Sequence, residues 1–237
     1  MRAVVVVLGL FFFTLGLRAQ SPREDVFNYP LRPETLNAFT MTCTRLAEHP
    51  LIKGYFEQEK TLSRLNRSLK SSGNFIIAAG QGMVWDTAKP FPSTLVLGKD
   101  YLIQSRPGGQ KTALSAQGNE TFIRFAEVIS TVFSGHAQGL LENFEVYYSY
   151  GASAGTGKEA RPGASSGVSG SGAWELGLSP VDRAIGTFAE RIIMKGDTVI
   201  RYIELHEQSG DTVKYTLSNH LFPIELNANE KALFSFP

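Results

Sequence analysis

The sequence is poor in sulfur and in histidine. One cysteine among 237 residues excludes an internal disulfide framework and any cysteine-rich zinc site. The four histidines, His49, His136, His206 and His220, stand without paired spacing. No H-x-x-x-H or H-E-x-x-H is present, so a zinc site has nothing to be built from locally. An excess of one charge is missing as well. With 23 Lys+Arg against 22 Asp+Glu, the chain has neither the broad basic surface that holds nucleic acid nor an acidic tail. Beyond the first residues there is no apolar run long enough to span a bilayer. No spacing fits a βαβ crossover, so any sheet is expected to be antiparallel.

Several motifs fail on their surroundings. Gly151-Ala152-Ser153-Ala154-Gly155 and Gly163-Ala164-Ser165-Ser166-Gly167 both spell G-x-S-x-G. A nucleophile elbow needs a strand before it and a helix after it, and a Gly/Ser/Ala stretch supplies neither. Gly157-Lys158 echoes a phosphate loop, but Ala152 replaces the first glycine and Glu159 the Ser/Thr. Glu57 and Glu59 alternate along a strand, where solvated carboxylates are commoner than a catalytic pair. His206 and His220 could meet in space only through the fold. No enzyme is visible.

What is present is a folded, aromatic-rich chain: 43% hydrophobic, with 16 Phe, 8 Tyr and 2 Trp. Arg2 followed by the apolar run Ala3 to Leu17, with Leu17-Arg18-Ala19 as a cleavage site, reads as an export signal over 1–19. About 218 residues then remain as one domain, 20–237, large enough to bury a sizeable core.

The first helix is expected from Pro33 to His49. Proline suits its first position, and Pro50 stops it. Cys43 shares its apolar face with Leu36, Phe39, Leu46 and Ala47 and is expected to pack as a small hydrophobe. Strands follow at Gly54 to Leu62, Ser72 to Ala79, Met83 to Thr87, Ser93 to Leu97, Tyr101 to Ser105 and Lys111 to Ala116. A second helix, Glu120 to Ser134, is capped by Asn119 and stopped by Gly135. Its broad apolar surface, with Phe122, Phe125 and Ile129, is either wedged into a core or laid over an apolar ligand.

Glu142 to Tyr150 returns to strand period. From Gly151 to Ala173, 17 of 23 residues are Gly, Ala or Ser, too few apolar side chains to offset ordering entropy, so a flexible loop is expected. Further strands are expected at Trp174 to Leu178, Thr187 to Lys195, Thr198 to Glu207 and Thr212 to Ser218. A last strand, Leu233 to Phe236, closes the chain.

The order Phe56-x-Gln58, Ser71-x-Gly73, Trp85, Pro90 and Gly98, continued by Trp174 to Pro180, Val199 to Leu205, Gly210-Asp211-Thr212 and Phe234 to Pro237, resembles the periplasmic lipoprotein carriers of the LolA type. The resemblance covers nearly the whole mature chain through the order and spacing of short motifs. It implies an α+β fold, mainly β: a curved antiparallel sheet forming an incomplete barrel, with helices over its mouth. It implies a monomer with no cofactor, exported to the periplasm. There it would hold the acyl chains of lipoproteins in an apolar cup. Cargo would come from an inner-membrane ABC exporter and go to an outer-membrane acceptor.

The cup is expected to be lined by Phe56, Phe75, Ile77, Trp85, Leu95, Phe122, Phe125, Ile129, Val146 and Trp174. The second helix, with the short piece His136 to Leu141, is then the natural lid. The alternative is the same fold binding another lipid or a glycolipid. One departure stands out. Where the family often has a basic residue and proline after the S-x-G strand, with an arginine that helps to latch the lid, this chain has Ala78-Ala79-Gly80.

Overall fold

The computed structural model describes residues 25–98, 101–109, 112–115, 131, 135–151 and 172–235. The export signal, most of the 151–173 stretch and nearly all of the second helix, including Phe122, Phe125 and Ile129, lie outside the described residues.

Among the described residues eleven strands form one antiparallel sheet. They are β1 Leu51–Leu62, β2 Arg67–Ala78, β3 Gly82–Lys89, β4 Ser93–Gly98, β5 Tyr101–Ser105 and β6 Thr112–Ser115. After these come β7 Phe144–Tyr150, β8 Trp174–Pro180, β9 Ala189–Gly196, β10 Ile200–Glu207 and β11 Thr212–Leu221. The spatial order is β6-β5-β4-β3-β2-β1-β11-β10-β9-β8-β7. Two meanders therefore meet where β1 pairs with β11, and β6 and β7 are left as the two edges. The sheet is not closed. At the β7 edge the chain before the first helix covers part of the ladder: Leu31 N–H donates to Val146 C=O and Tyr148 N–H to Tyr29 C=O. That blunts an edge which would otherwise offer free backbone groups.

Helix α1, Pro33–Ala47, starts where expected, and the Arg32 N–H is capped by the Thr35 hydroxyl at 3.0 Å. It buries Phe39, Thr42, Cys43 and Leu46. Leu36 and Ala47 are exposed, so the buried stripe is narrower than the sequence suggests. Cys43 packs as a hydrophobe, and burial pushes its thiol up to about 11. A buried hydrogen bond of 2.7 Å between the Thr42 and Tyr148 hydroxyls ties α1 to β7, with the Phe39 and Tyr148 rings edge to face.

The strand boundaries agree with expectation to within a few residues in most places. Two differ in kind, and one short helix is added. Glu142 and Asn143 belong to helix α2, Ala137–Asn143, and β7 starts only at Phe144. A short helix, α3 Arg183–Gly186, precedes β9, with the Asp182 carboxylate accepting from Ala184 N–H and Ile185 N–H. The described part of the expected closing strand, Leu233 to Ser235, is not strand, and Phe236 lies outside the described residues. Residues Ala228–Leu233 are helix α4, and Phe234 follows as its cap. Asn227 and Glu230 cap each other reciprocally at its start, a capping box that satisfies backbone donors a strand would have paired.

Candidate functional site: an apolar concave face

Strand register sorts the side chains onto two faces. On one ladder after another the partners are Val146 with Leu178, Leu178 with Ile192, Ile192 with Leu205 and Leu205 with Val213. Beside them run Leu176, Met194, Ile203 and Tyr215. The face continues through Leu217 opposite Phe56, Phe75 opposite Trp85, Trp85 opposite Leu95 and Leu97 opposite Leu102. One apolar layer thus crosses β7 to β5, because side chains alternate with period two and register is preserved from ladder to ladder.

This face is the concave one. Trp85 on β3 and Tyr215 on β11 are three strands apart, about 14 Å in a flat sheet. Yet their ring centroids are 5.3 Å apart. Trp85 also lies on Phe56, two strands away, at 4.4 Å and an interplanar angle of 29°. Two glycines permit the convergence. A Cβ on Gly54 would stand 2.6 Å from the Phe75 ring, which crosses that position. A Cβ on Gly73, the glycine of the S-x-G motif, would stand 2.0 Å from the Asp86 carbonyl of β3. Each therefore marks a close approach that no larger residue allows.

The face has two parts. Under α1 it is closed core: Phe56 is 0% exposed, Phe75 1%, Val146 5% and Trp174 2%. The Trp174 Nε1 donates to Asp197 C=O at 2.7 Å. Between Leu46, Ile52, Phe75, Ile77, Val199, Leu217 and their neighbours only about 10 Å³ of cavity remains, about one water. Away from α1, Trp85, Leu95 and Leu102 on β3 to β5 and Ile203, Leu205 and Tyr215 on β10 and β11 are only half-buried. Ile77 is half-buried too, but on the cavity beside Leu46.

All seven described residues that the sequence suggests for the cup, Phe56, Phe75, Ile77, Trp85, Leu95, Val146 and Trp174, fall on this one face. They are not equivalent. Val146 and Trp174 sit in packed core, Ile77 borders the small cavity beside Leu46, and Trp85 and Leu95 lie where the face opens. Sequence reasoning missed Leu102, Ile203, Leu205 and Tyr215. The alternation in Tyr202-Ile203-Glu204-Leu205-His206 carries the signal for two of them, and strand parity would have placed them.

The apolar layer ends in a polar rim. Next along β1 and β2, the Ser71 hydroxyl donates to Gln58 Oε1 at 2.9 Å, and Lys60 Nζ pairs with Glu207 at 2.8 Å. The glutamine of the F-x-Q motif is therefore satisfied within the sheet. At the tip, Asp211 accepts from Ser63 N–H and Oγ at 2.9 and 3.2 Å. The Ser63 backbone N–H is the first cause that holds its carboxyl below the usual range, with Lys60 nearby adding to it.

The other face is polar. Glu57, Glu59, Lys70, Ser72, Lys89, Tyr202, Lys214 and Thr216 line an open groove of about 570 Å³. Lys70 and Glu59 are 4.0 Å apart there, so these carboxylates stand among lysines rather than as a catalytic pair. The histidines do not meet. His206 lies 3.0 Å from Glu204 on the polar face, while His220 contacts Ile200 C=O and the edge of Phe75 on the concave side. Among the described residues no group of three or more His, Cys, Asp and Glu could hold a metal ion. Nor is any described helix long and apolar enough to cross a membrane.

No protein-family model matches the sequence, and no curated protein matches it. Solved structures do. The chain is similar to a LolA superfamily protein from Nitrosomonas europaea, at 8% identity over 84% of this chain and 97% of that one, TM-score 0.44. It is also similar to an outer membrane lipoprotein-sorting protein domain from Vibrio parahaemolyticus, at 10% identity over 89% and 100%, TM-score 0.32. A third is the MucA/MucB complex of Pseudomonas aeruginosa, at 12% identity over 81% of this chain and 59% of that one, TM-score 0.43. These likenesses concern the course of the chain. The mainly β, curved and unclosed sheet is the fold that the LolA-type resemblance implies.

Proposed function

We propose that the chain binds acyl chains on the open part of its concave face, as an exported carrier of lipids or lipoproteins. The observation that supports this is the half-buried apolar stretch of Trp85, Leu95, Leu102, Ile203, Leu205 and Tyr215 in a sheet that does not close. Apolar area left in a concavity is satisfied by an apolar guest or by a movable cover. Phe122, Phe125 and Ile129 of the expected second helix would complete the lining. The carrier reading adds export to the periplasm, non-enzymatic transport, an inner-membrane ABC exporter as donor and an outer-membrane acceptor.

A second reading, the same face holding another lipid or a glycolipid, is favoured by one feature. The β2–β3 turn carries Ala78-Ala79-Gly80, and Ala79 contributes only its backbone N–H, bonded to Pro50 C=O at 2.7 Å. No charged latch is available there, so release would follow a different trigger.

Burying acyl chains yields about 0.8 kcal/mol per CH₂, so affinity should follow acylation. The test is titration of the mature chain with a triacylated lipopeptide and with its unacylated peptide, followed by intrinsic fluorescence. Saturable binding of the acylated form alone is expected, lost in a folded Leu95→Glu variant. No acyl-dependent binding by a folded, lipid-free protein would overturn the proposal. Dependence of release on the exporter then separates the lipoprotein carrier from the general lipid binder.

A further inference from the structure

The open part of the concave face contains two hydrogen-bonding groups for which the fold provides no partner. The Trp85 ring is only half-buried, but its Nε1 is shut off from solvent and has no hydrogen-bond partner. The contrast is within the same face, where the Trp174 Nε1 donates to a backbone carbonyl. Three strands away, Tyr215 stands edge-on to Trp85 with the rings at 87°. Among the described residues its hydroxyl has no protein partner, although it is not shut off from solvent as Trp85 Nε1 is. Burial first, and the Glu207 charge second, push that hydroxyl up to about 12, so it remains a donor.

The nearby acceptors are engaged by other donors and reach neither group. Gln58 Oε1 receives the Ser71 hydroxyl, and the Glu207 carboxylate receives Lys60 Nζ. A buried donor without an acceptor is destabilising, and native folds keep few of them.

We propose that Trp85 Nε1 and the Tyr215 hydroxyl form a polar anchor for an ester or amide carbonyl of the bound lipid, at the junction of its acyl chains and its head. This rests on the acyl-binding reading and adds where the polar linkage sits and what recognises it. A neutral acceptor fits better than a carboxylate. Glu207 lies close enough to act on Tyr215, and the nearby cation, Lys60, is already paired with Glu207. Carbonyl-linked chains are therefore preferred both to free fatty acid and to ether-linked chains.

The test compares a diacyl, ester-linked lipopeptide with its dialkyl-ether counterpart of equal chain length, on the wild type, Tyr215→Phe and Trp85→Phe. The wild type is expected to favour the ester by about three- to tenfold, the range one hydrogen bond supplies. Each variant should lose most of that preference, read as the ratio of ester to ether affinity, even where its affinity for both lipids falls. Tyr215→Phe removes one oxygen and keeps the ring, so it holds the test open if Trp85→Phe fails to fold. Equal ester and ether affinity in the wild type, or equal losses for both lipids in the variants, would overturn the anchor and leave acyl binding standing. Binding of neither lipid by the folded wild type would sink both.

Discussion

Phe56 is where the two parts of the concave face meet, and truncating it tests the packing argument most directly. Its side chain is fully buried, stacked on Trp85 at 4.4 Å, between Gly73 on β2 and Leu217 on β11 in the ladders. Phe56→Ala removes a transfer contribution of about 1.5–3 kcal/mol and leaves a cavity. The strands around it cannot collapse without breaking register. Together these cost about 3–5 kcal/mol. The Trp85 stack accounts for roughly 0.5–1.5 kcal/mol of that. For a chain of this size each kcal/mol moves Tm by about 2–4 °C, so a fall of roughly 6–20 °C is expected. Urea unfolding followed by circular dichroism gives the free energy, and calorimetry the Tm. Phe91, 81% exposed at the β3–β4 turn, is the control. Phe91→Ala should stay within about 0.5 kcal/mol of wild type. A loss below about 1 kcal/mol at Phe56, or equal losses at both positions, would refute the placement of Phe56 at the centre of the core.

Tyr148→Phe cuts the buried Thr42 contact that ties α1 to β7 and should cost about 1–3 kcal/mol, seen as a lower urea midpoint with an unchanged slope. An unchanged midpoint would mean that α1 is held by its apolar stripe alone. The His220 imidazole is held below its ordinary value, by burial first and by Arg201 as well, against the opposing Ile200 carbonyl and Asp197. The unfolded chain therefore takes up a proton before the folded one does. Stability should be full above about pH 6.5, the unfolded value, and decline as pH falls through it toward the folded value. His220→Gln should remove that part of the slope, and identical pH profiles for variant and wild type would discount it.

Most strand positions were legible locally, because alternation in stretches such as Phe144 to Tyr150 and Trp174 to Leu178 is written in consecutive residues. The same parity placed Phe56, Phe75, Trp85 and Leu95 on one face before any register was known. The C-terminal segment misled, since Leu-Phe-Ser-Phe has strand period over too few residues. The reciprocal cap of Asn227 and Glu230 three residues apart was the helix signal, and it lies before the apolar residues rather than among them. Glu142 and Asn143 misled in a similar way, as polar residues that end one helix and adjoin a strand.

Sequence alone thus determined most of the strand positions, which face of those strands is apolar, and that no local spacing builds a metal or nucleophile site. Only the tertiary structure decided that β1 pairs with β11, so that two meanders become one unclosed sheet. It also decided that α1 closes one part of the concave face and leaves Trp85, Leu95, Ile203 and Tyr215 half-buried in the other. Those outcomes depend on pairing between residues more than 150 positions apart and on the curvature that brings Trp85 against Tyr215. Alternation within a strand specifies a face, but not the neighbour that face will meet.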